Sequence, residues 1–392
     1  MESFYRTHAY LVEHTNAPVR RDLMDEIDWS DRLIGIKGTR GVGKTTFLLQ
    51  YAKEKFGTDR SCLFINMNNF YFSGHSIVDF ANEFQKRGGK VLLIDQVFKH
   101  PEWSKELRMC YDRFPSLKIV FTGSSVMRLK EENLELRDIA KSYNLRGFSF
   151  REFLNLQTGM KFRAYSLEEI LSTHEQIAKG VLSKVRPLDY FQDYLHHGFY
   201  PFFLEKRNFS ENLLKTMNMM VEVDILLIKQ IELKYLSKIK KLLYLLAVDG
   251  PKAPNVSQLA SDVQTSRATV MNYIKYLADA RLINLVYPKG EEFPKKPSKI
   301  MMHNSNLMYS IYPVKVEEQD VLDTFFVNTL WKDHKVHKGD KNVSFMVDEV
   351  MPFKICAEGT KIKNNPDVTY ALQKAEIGRG NQIPLWMFGF LY

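Results

Sequence analysis

The sequence predicts an α/β protein built on a parallel β-sheet, and two observations support this fold class. Over residues 1–150, short apolar runs alternate with amphipathic helical stretches. Runs that are apolar along their whole length are typical of strands buried on both faces, as in a parallel sheet covered by helices. A glycine-rich turn also follows the first apolar run and leads directly into a helix. The remaining residues predict a helical segment and a smaller α+β part.

The predicted elements of the sheet follow one another in a regular order. The first strand lies at residues 32–37, and the helix after the glycine-rich turn covers residues 45–56. The later elements are a strand at 61–66, a helix at 76–87, a strand at 90–95, a helix at 101–114 and a strand at 117–122. One strand lies between the strand before the turn and the strand that ends in Asp95.

The glycine-rich turn carries the most specific motif of the chain. It consists of Gly38, Thr39, Arg40, Gly41, Val42, Gly43, Lys44 and Thr45. This spacing fits the phosphate-binding loop pattern G-x-x-x-x-G-K-S/T, and the strand before it and the helix after it provide the context that the pattern requires. The glycines let backbone N–H groups surround a phosphate, Lys44 can reach the β- and γ-phosphates, and Thr45 can ligate Mg²⁺. We therefore expect this phosphate-binding loop, together with Thr46, to bind ATP and Mg²⁺. With one strand between the strand before the loop and the strand that ends in Asp95, the order of elements is typical of the additional-strand class of P-loop ATPases.

Polar residues end two of the later strands. Asp95 is expected to complete the Mg²⁺ site beside Thr45. The next residue is Gln96, where many P-loop ATPases carry a glutamate that polarises the attacking water. An amide can orient water but cannot accept its proton, and general-base catalysis is worth ~10²–10⁴-fold, so hydrolysis is expected to be slow. Ser124 or Thr122, on the next strand, is the candidate for a polar side chain near the γ-phosphate.

Composition restricts the class of protein. The chain has 392 residues, of which 45% are hydrophobic and 26% charged, and this predicts two or three soluble globular domains. The 3 cysteines have no metal-ligand spacing, and no secretory signal or membrane-spanning apolar stretch is present, so we expect a cytoplasmic protein without a membrane partner. Net charge is +9, and residues 234–299 hold twelve Lys/Arg against five Asp/Glu. This excess indicates either a nucleic-acid surface or a solvated helical face.

The rest of the chain shows three patterns. Residues 167–246 are helical throughout apart from one break. Residues 255–289 predict two short, tightly joined helices followed by a strand and a turn, which is typical of a winged helix-turn-helix. Residues 301–392 predict an α+β unit, and the apolar run at 383–392 predicts a buried final strand.

The second helix of the 255–289 unit offers candidate contacts to DNA. Val270, Ile274 and Leu277 predict its buried stripe. The residues that could face a DNA groove are Ser266, Arg267, Thr269, Asn272, Tyr273 and Lys275. Winged helices also bind other proteins, so the expected partner of this unit is either DNA or a protein.

Several motifs together resemble a family of prokaryotic AAA-type ATPases, archaeal or STAND-like. The motifs are the phosphate-binding loop, Leu92-Leu93-Ile94-Asp95, Pro101-Glu102-Trp103, Phe121-Thr122-Gly123-Ser124-Ser125 and Phe148-Ser149-Phe150-Arg151-Glu152-Phe153. In this family an ATPase core and a helical lid precede a winged helix and a C-terminal restriction-endonuclease-like domain. The resemblance covers essentially the whole chain and is specific in its first 205 residues. It implies a core at 1–165, a lid at 166–235, a winged helix at 236–300 and an endonuclease-like domain at 301–392.

The resemblance also implies roles for single residues. Lys44 and Thr45 would hold phosphate and Mg²⁺, Asp95 would hold Mg²⁺, and Ser124 would act as a sensor. The residues that resemble a G-x-P signature of the lid, which approaches the nucleotide in the family, are Gly198, Tyr200 and Pro201, with one extra residue between the glycine and the proline. The candidates for an arginine finger are Arg137, Arg146 and Arg151.

Two departures from the family pattern shape the expected function. One is Gln96. The other lies in the last domain, where a nuclease of this fold needs an acid-x-Lys pair after its first aspartate, and Asp348 is instead followed by Lys354 and Cys356. We therefore predict an ATP-binding ATPase with slow Mg²⁺-dependent hydrolysis, coupled to the lid and winged helix, and a last domain without nuclease activity. A non-hydrolysing nucleotide switch and an ATP-regulated DNA-binding protein are the alternatives, and a homo-oligomer is compatible with each.

Overall fold

The computed structural model of the chain describes residues 1–127, 129, 131–205, 208–362 and 365–392. The contacts among these residues divide the chain into two compact units, Met1–Arg146 and Gly147–Tyr392. The phosphate-binding loop belongs to the first unit. Among the described residues, no helix is both long enough and apolar enough to span a membrane.

The first unit is organised around a parallel β-sheet. The strands of its described part are β1 (Leu33–Gly38), β2 (Cys62–Asn66), β3 (Val91–Asp95), β4 (Lys118–Ser124) and β5 (Lys141–Asn144). They are all parallel and lie in the order β2-β3-β4-β1-β5, so β4 separates the phosphate-loop strand from the strand that ends in Asp95. This order confirms the predicted fold class. It also brings the carboxyl ends of β1, β3 and β4 together at one edge of the sheet.

Helices and short 3₁₀ turns connect these strands. The helices of the described part are α1 (Glu2–His14), α2 (Leu23–Glu26), α3 (Lys44–Lys55), α4 (Ile77–Lys86) and α5 (Trp103–Arg113). The 3₁₀ turns lie at Phe70–Ser73, Val97–Lys99 and Leu134–Leu136. The sequence predicted α3, α4 and α5 to within about two residues, the usual uncertainty of helix ends. It did not predict α1, α2 or β5.

The second unit begins with a helical region. Its helices are α6 (Phe150–Thr158), α7 (Leu167–Leu182), α8 (Leu188–Asp193), α9 (Phe209–Met219), α10 (Leu226–Ile228) and α11 (Leu236–Asp249). Two π-helical turns interrupt the described part of this region, at Tyr194–Gly198 and Met220–Ile225, and 3₁₀ turns lie at Pro201–Glu205 and Leu233–Tyr235. The predicted break in the helical pattern, at residues 198–201, therefore lies where the first π-helical turn ends and the 3₁₀ turn Pro201–Glu205 begins.

A helix pair and a β-hairpin follow. They are α12 (Val256–Val263), α13 (Arg267–Asp279), β6 (Ile283–Val286) and β7 (Lys299–Met302). The two strands are antiparallel, and Ser266 caps α13 by accepting a hydrogen bond from the Thr269 N–H. The predicted apolar stripe of α13 is confirmed, because Val270, Ile274 and Leu277 are all buried. The sequence thus predicted the kind and order of these elements.

The chain ends in an α+β part with a mixed sheet. Its elements are α14 (Ser305–Ile311), α15 (Glu318–Leu330), β8 (Val336–Lys338), β9 (Phe345–Val347), β10 (Met351–Cys356), β11 (Thr369–Leu372) and β12 (Gln382–Pro384), with a 3₁₀ turn at Pro313–Lys315. Among the described residues the strand order is β12-β11-β10-β9-β8. The pairs β8–β9 and β9–β10 are antiparallel, whereas β10–β11 and β11–β12 are parallel.

The predicted final strand is wrong beyond its first residues. Only Gln382–Pro384 pairs in the sheet, and Leu385–Phe390 forms a 3₁₀ helix. Pro384 has no N–H to donate to a further strand, so the ladder ends there. The residues after it are buried on every side of the helix, which explains why their apolar run has no alternation.

Candidate nucleotide-binding site

The phosphate-binding loop has the backbone that its glycines allow. Gly41 and Gly43 have φ values of 85° and 93°, a region that residues with a side chain rarely adopt. Gly43 immediately precedes α3, which begins at Lys44. The first N–H groups of a helix have no partner within the helix and carry its positive dipole end. The loop therefore leads directly into a site that favours an anion.

The first glycine of the loop is required for a different reason. Gly38 is the last residue of β1, and a Cβ at this position would lie 2.4 Å from the carbonyl oxygen of Leu145. The Leu145 N–H in turn donates to the Lys37 carbonyl over 2.7 Å, which extends the pairing of β1 with β5. Backbone packing at the end of the sheet thus leaves no room for a side chain on Gly38.

Lys44 and Arg21 both contact the phosphate-binding loop. The Lys44 ammonium donates to the carbonyls of Gly38 and Thr39 over 2.9 and 2.8 Å, so its charge lies over the loop. Arg21 is buried, and its guanidinium donates to the carbonyl of Val42 over 3.4 Å and to that of Arg146 over 2.8 Å. Sequence reasoning missed Arg21, because the chain segment before α2 carries no motif.

Asp95 is the centre of a buried hydrogen-bond network at the sheet edge. The side chain is 1% exposed. Its Oδ2 accepts hydrogen bonds from Thr45 Oγ1 at 2.9 Å and from Asn66 Nδ2 at 2.8 Å. Its Oδ1 accepts one from Thr122 Oγ1 at 2.6 Å. The structure therefore brings together the two residues that the sequence assigned to Mg²⁺, Thr45 and Asp95, and it adds an amide and a second hydroxyl.

Gln96 has an unusual backbone. Its φ and ψ are 56° and 48°, in the left-handed region, where a residue with a side chain carries a strain of about 1–2 kcal/mol. Its N–H donates to Thr122 Oγ1 over 2.9 Å, and the chain then turns into the 3₁₀ helix Val97–Lys99. The side chain is half-buried and follows Asp95 directly, so it lies at the same edge of the sheet as the phosphate-binding loop.

The two hydroxyls considered for the end of β4 have different surroundings. Thr122 faces Asp95, as described above. Ser124 lies opposite Gly38 in the β1–β4 register, and its Oγ accepts a hydrogen bond from the Val126 N–H over 3.3 Å. Ser124 is therefore beside the start of the phosphate-binding loop, whereas Thr122 lies one layer deeper. Asn66 was missed as a site residue, because only its register opposite Asp95 in the parallel β2–β3 pair reveals its position.

The residues that the family resemblance added lie partly in the second unit. Gly198, Tyr200 and Pro201 belong to it, and Pro201 begins a 3₁₀ turn. Arg151 also belongs to it, is buried, and donates to the carbonyls of Phe162 and Tyr392 over 3.1 Å each, which gives it a structural role. The other two candidates for an arginine finger belong to the first unit, where Arg137 is exposed and Arg146 is half-buried.

One of the candidate DNA contacts on α13, Tyr273, is wrong, and another, Lys275, is paired with a carboxylate. Tyr273 is 4% exposed, because it lies three residues after Val270 on the buried side of the helix. Lys275 donates to Asp279 Oδ1 over 2.8 Å, so its charge is compensated within the helix. Arg267 and Asn272 are exposed, and they remain candidates.

Ion pairs reduce the basic excess of residues 234–299. Ion pairs of the segment's lysines with described carboxylates include Lys234–Glu232, Lys240–Glu222, Lys252–Asp249, Lys275–Asp279, Lys289–Glu349, Lys295–Glu291 and Lys299–Asp323. Several of these carboxylates lie outside the segment, whereas Lys229, also outside it, pairs with Asp279. A DNA-binding surface in this part of the chain would have to rest on fewer cations than the sequence indicates.

The carboxylate of Asp348, which follows β9 in the C-terminal sheet, contacts a histidine and a backbone N–H. Its Oδ2 lies 2.6 Å from His334 Nδ1, and its Oδ1 accepts the Lys335 N–H over 2.8 Å. Burial raises the pKa of Asp348, but the hydrogen bonds from His334 and the Lys335 N–H outweigh it and hold this pKa below its ordinary value. In the described part of the chain, no group of three or more His, Cys, Asp or Glu side chains could hold a metal ion.

Comparison with known proteins places two family models on the chain. Residues 30–154 match a family described as an AAA domain, and residues 188–315 match one described as Domain of unknown function (DUF8612). Two uncharacterized proteins of Methanocaldococcus jannaschii are 29% identical over 274 residues and 26% identical over 267 residues, which is 66% and 64% of this chain. The chain spans 57% and 55% of the length of these curated relatives.

Three solved structures of low identity are similar to the chain. Thermotoga maritima RuvB is 16% identical with a TM-score of 0.29 and covers 81% of this chain and 96% of its own. The Aeropyrum pernix ORC1 protein in complex with DNA is 10% identical with a TM-score of 0.31 over 80% and 92%. AMPPCP-bound DnaA from Aquifex aeolicus is 13% identical with a TM-score of 0.27 over 70% and 88%. At these TM-scores the similarity supports no argument. Residues 30–154 match the AAA domain family, and their parallel sheet and phosphate-binding loop have the fold of a P-loop nucleotide-binding domain.

Proposed function

We propose that the chain binds ATP with Mg²⁺ and hydrolyses it slowly. The observation that carries this proposal is the 2.9 Å contact between Thr45 Oγ1 and Asp95 Oδ2, which joins the phosphate-binding loop to the end of β3. Hydroxyl and carboxylate oxygens are the ligands that Mg²⁺ prefers, so Thr45 and Asp95 fit this ion and would hold it. When bound, Mg²⁺ neutralises negative charge on the phosphates.

The phosphate-binding loop and Lys44 are proposed to hold the triphosphate. The N–H groups from Gly38 to Thr46 and the N-terminus of α3 supply donors for the phosphate oxygens. The Lys44 ammonium already lies over the loop, where it donates to the Gly38 and Thr39 carbonyls. Phosphate oxygens would replace these carbonyls as its acceptors. The proposed reaction is the in-line attack of water on the γ-phosphate.

Gln96 is proposed to orient the attacking water. Its amide can donate to and accept from water but cannot take up the proton, so the general-base contribution of ~10²–10⁴-fold is absent. Ser124, beside the phosphate-binding loop, is the proposed sensor of the γ-phosphate. Slow hydrolysis follows from Gln96 even when the other groups are in place.

The rest of the chain is proposed to respond to the nucleotide. In this view residues 1–165 form the ATPase core, residues 166–235 a lid that contributes Pro201, and residues 236–300 a winged helix. Residues 301–392 would be an inactive endonuclease-like domain. Arg137 or Arg146 would act as an arginine finger if copies of the chain associate. Arg267, the first residue of α13, and Asn272 in its middle are exposed, and this supports contact of the winged helix with DNA or a protein.

A non-hydrolysing nucleotide switch is the second candidate function, and Gln96 is the observation that favours it. Single-turnover ATP hydrolysis by the purified chain distinguishes the two, with Lys44→Ala as the inactive control. Slow release of phosphate, below about 1 s⁻¹, that is absent in the control supports the ATPase. Tight binding of ATP without release of phosphate favours the switch. Absence of ATP binding would contradict both.

A further inference from the structure

We propose that Thr122 is a positioning residue that fixes the carboxylate of Asp95 and the backbone of Gln96 in one arrangement. The inference rests on the proposed function, since Asp95 is there a ligand of Mg²⁺ and Gln96 orients water. It assigns Thr122 a role different from that of a sensor of the γ-phosphate. The role follows from the surroundings of a single hydroxyl group.

The Thr122 hydroxyl links two consecutive residues at the end of β3. It donates to Asp95 Oδ1 over 2.6 Å and accepts the Gln96 N–H over 2.9 Å. A hydroxyl has one proton to donate, so the bond to Asp95 commits that proton. The side chain of Thr122 is 0% exposed, and the group therefore lies behind the site rather than facing solvent.

The bond to Thr122 determines the direction of the Asp95 carboxylate. Asn66 holds the other oxygen, Oδ2, and the Asn66 side chain is itself fixed because its Oδ1 accepts the Asn68 N–H over 2.8 Å. A carboxylate that is held at one oxygen alone can still rotate about its Cβ–Cγ bond. With Thr122 on Oδ1 as well, its plane is fixed and Oδ2 stays directed at Thr45.

The same hydroxyl supports the left-handed backbone of Gln96. A residue with a side chain rarely adopts this conformation, so the surrounding structure has to stabilise it. The acceptor that Thr122 offers to the Gln96 N–H supplies such support. Loss of the hydroxyl should therefore disturb both the metal ligand and the residue proposed to orient water.

The test compares Thr122→Val, which keeps the shape but removes the hydroxyl, with Thr122→Ser, which keeps the hydroxyl. Binding of a fluorescent ATP analogue is measured with and without Mg²⁺. Partners of metal ligands typically change metal affinity by about 10–100-fold, so Thr122→Val should lose that much of the affinity gained from Mg²⁺ and change little without the ion. Thr122→Ser should keep most of the gain.

Thr324→Val is the matched control. Thr324 is a buried threonine of α15, and its hydroxyl oxygen has no hydrogen-bond partner among the described residues. This variant should retain the full effect of Mg²⁺. Thermal unfolding of each variant shows whether it is folded, and Thr122→Ala replaces Thr122→Val if the latter does not fold.

A second readout does not depend on the nucleotide. Hydrogen exchange of the Gln96 amide should be faster in Thr122→Val than in the parent and in Thr122→Ser. An unchanged Mg²⁺ effect together with unchanged exchange in a folded Thr122→Val would overturn the inference, as would equal losses in the serine and valine variants. A parent chain without any Mg²⁺ effect on ATP binding would instead contradict the proposed function, and the exchange of Gln96 would then decide the role of Thr122.

Discussion

The ammonium of Lys44 is the cation that the phosphate-binding loop presents at the start of α3. We expect Lys44→Ala to weaken ATP binding by about 10–100-fold, because a hydrogen bond from a charged donor contributes about 1.5–3 kcal/mol. Calorimetric titration with ATP measures the change. Lys53→Ala is the control, since Lys53 lies on the same helix but donates to the carbonyl of Thr15. Equal affinities of the two variants would contradict the assigned phosphate site.

A substitution of Gln96 distinguishes a slow ATPase from a non-hydrolysing switch. We expect Gln96→Glu to raise the single-turnover rate by about 10-fold or more, because the carboxylate supplies the missing base at nearly the same volume. The affinity for ATP is measured on the same variant. A weaker affinity without a faster rate would favour the switch, since the added charge then only repels the γ-phosphate. A parent rate of about 1 s⁻¹ or more would contradict slow hydrolysis.

Part of this nucleotide-binding site could be predicted from the sequence alone. Thr45 and Asp95 could be predicted, because a loop motif and an apolar strand ending in an acid are local patterns. Asn66 and the depth of Thr122 depend on the register of strands that are distant in the sequence. Arg21 donates to the backbone carbonyl of Val42 in the loop, and a backbone contact does not depend on the residue type of its acceptor.

Helix α1, which the sequence did not predict, stabilises the first unit and its outermost strand. It packs its side chains Phe4, Tyr5, His8 and Val12 into the first unit. Strand β2 is the outermost strand on one side of the described sheet, so the N–H groups on its open side have no neighbouring strand to bond to. His8 Nδ1 accepts the Phe64 N–H of this strand over 3.0 Å. The imidazole must therefore be unprotonated at Nδ1 to accept this hydrogen bond from β2.

The stability of the first unit should depend on His8. Burial lowers the pKa of His8 below its ordinary value of 6.5. The unfolded chain then binds a proton at a higher pH than the folded chain does, so this contribution is complete above pH 6.5 and is lost as the pH falls from there towards the lowered pKa. Urea unfolding between about pH 7.5 and 5.5 measures the loss.

His8→Gln is the control for this pH dependence. The glutamine side chain can offer an oxygen to the Phe64 N–H without titrating. The difference in unfolding free energy between parent and variant should therefore change over the same range of pH. A constant difference would show that other groups carry the pH dependence.

Helix α13 permits a matched test of DNA binding. We expect Arg267→Ala to weaken binding to duplex DNA and to reduce the salt slope by about one, because each lost phosphate contact has this effect. Lys275→Ala should change little, since Lys275 is paired with Asp279. Fluorescence titrations over a range of salt concentrations measure both. Equal effects would contradict a groove-facing Arg267, and absence of binding by the parent would favour a protein partner.

At the scale of the whole molecule, the sequence predicted the first unit better than the second. Buried parallel strands and a loop motif are strong local patterns. The second unit depends on distant contacts, such as that of Arg151 with the carbonyl of Tyr392 at the end of the chain. The predicted core extends to residue 165, whereas the contacts assign α6 to the second unit. The family match at 188–315 likewise crosses the predicted limits of the lid and the winged helix.

The C-terminal sheet should be structural rather than catalytic. We expect no cleavage of DNA with Mg²⁺ or Mn²⁺, because Lys354 stands where a second carboxylate is needed. Asp348→Ala should instead lower the unfolding free energy by about 1–3 kcal/mol, since it removes the acceptor of His334 and of the Lys335 N–H. Nuclease assays and urea unfolding measure these outcomes. Metal-dependent cleavage that disappears in this variant would contradict the assignment.

The contact between Gly38 and the Leu145 carbonyl has a consequence for how such chains diverge. A side chain at position 38 would collide with the backbone just after β5, whether or not a nucleotide is bound. If a related chain lost ATP binding, later mutations could replace Lys44 or Thr45 without disturbing the fold. The first glycine would be retained, because the backbone packing at the end of the sheet requires it. In relatives that no longer bind ATP, a glycine at this position would therefore indicate only that the fold is intact. The lysine and the threonine would be the residues that indicate ATP binding.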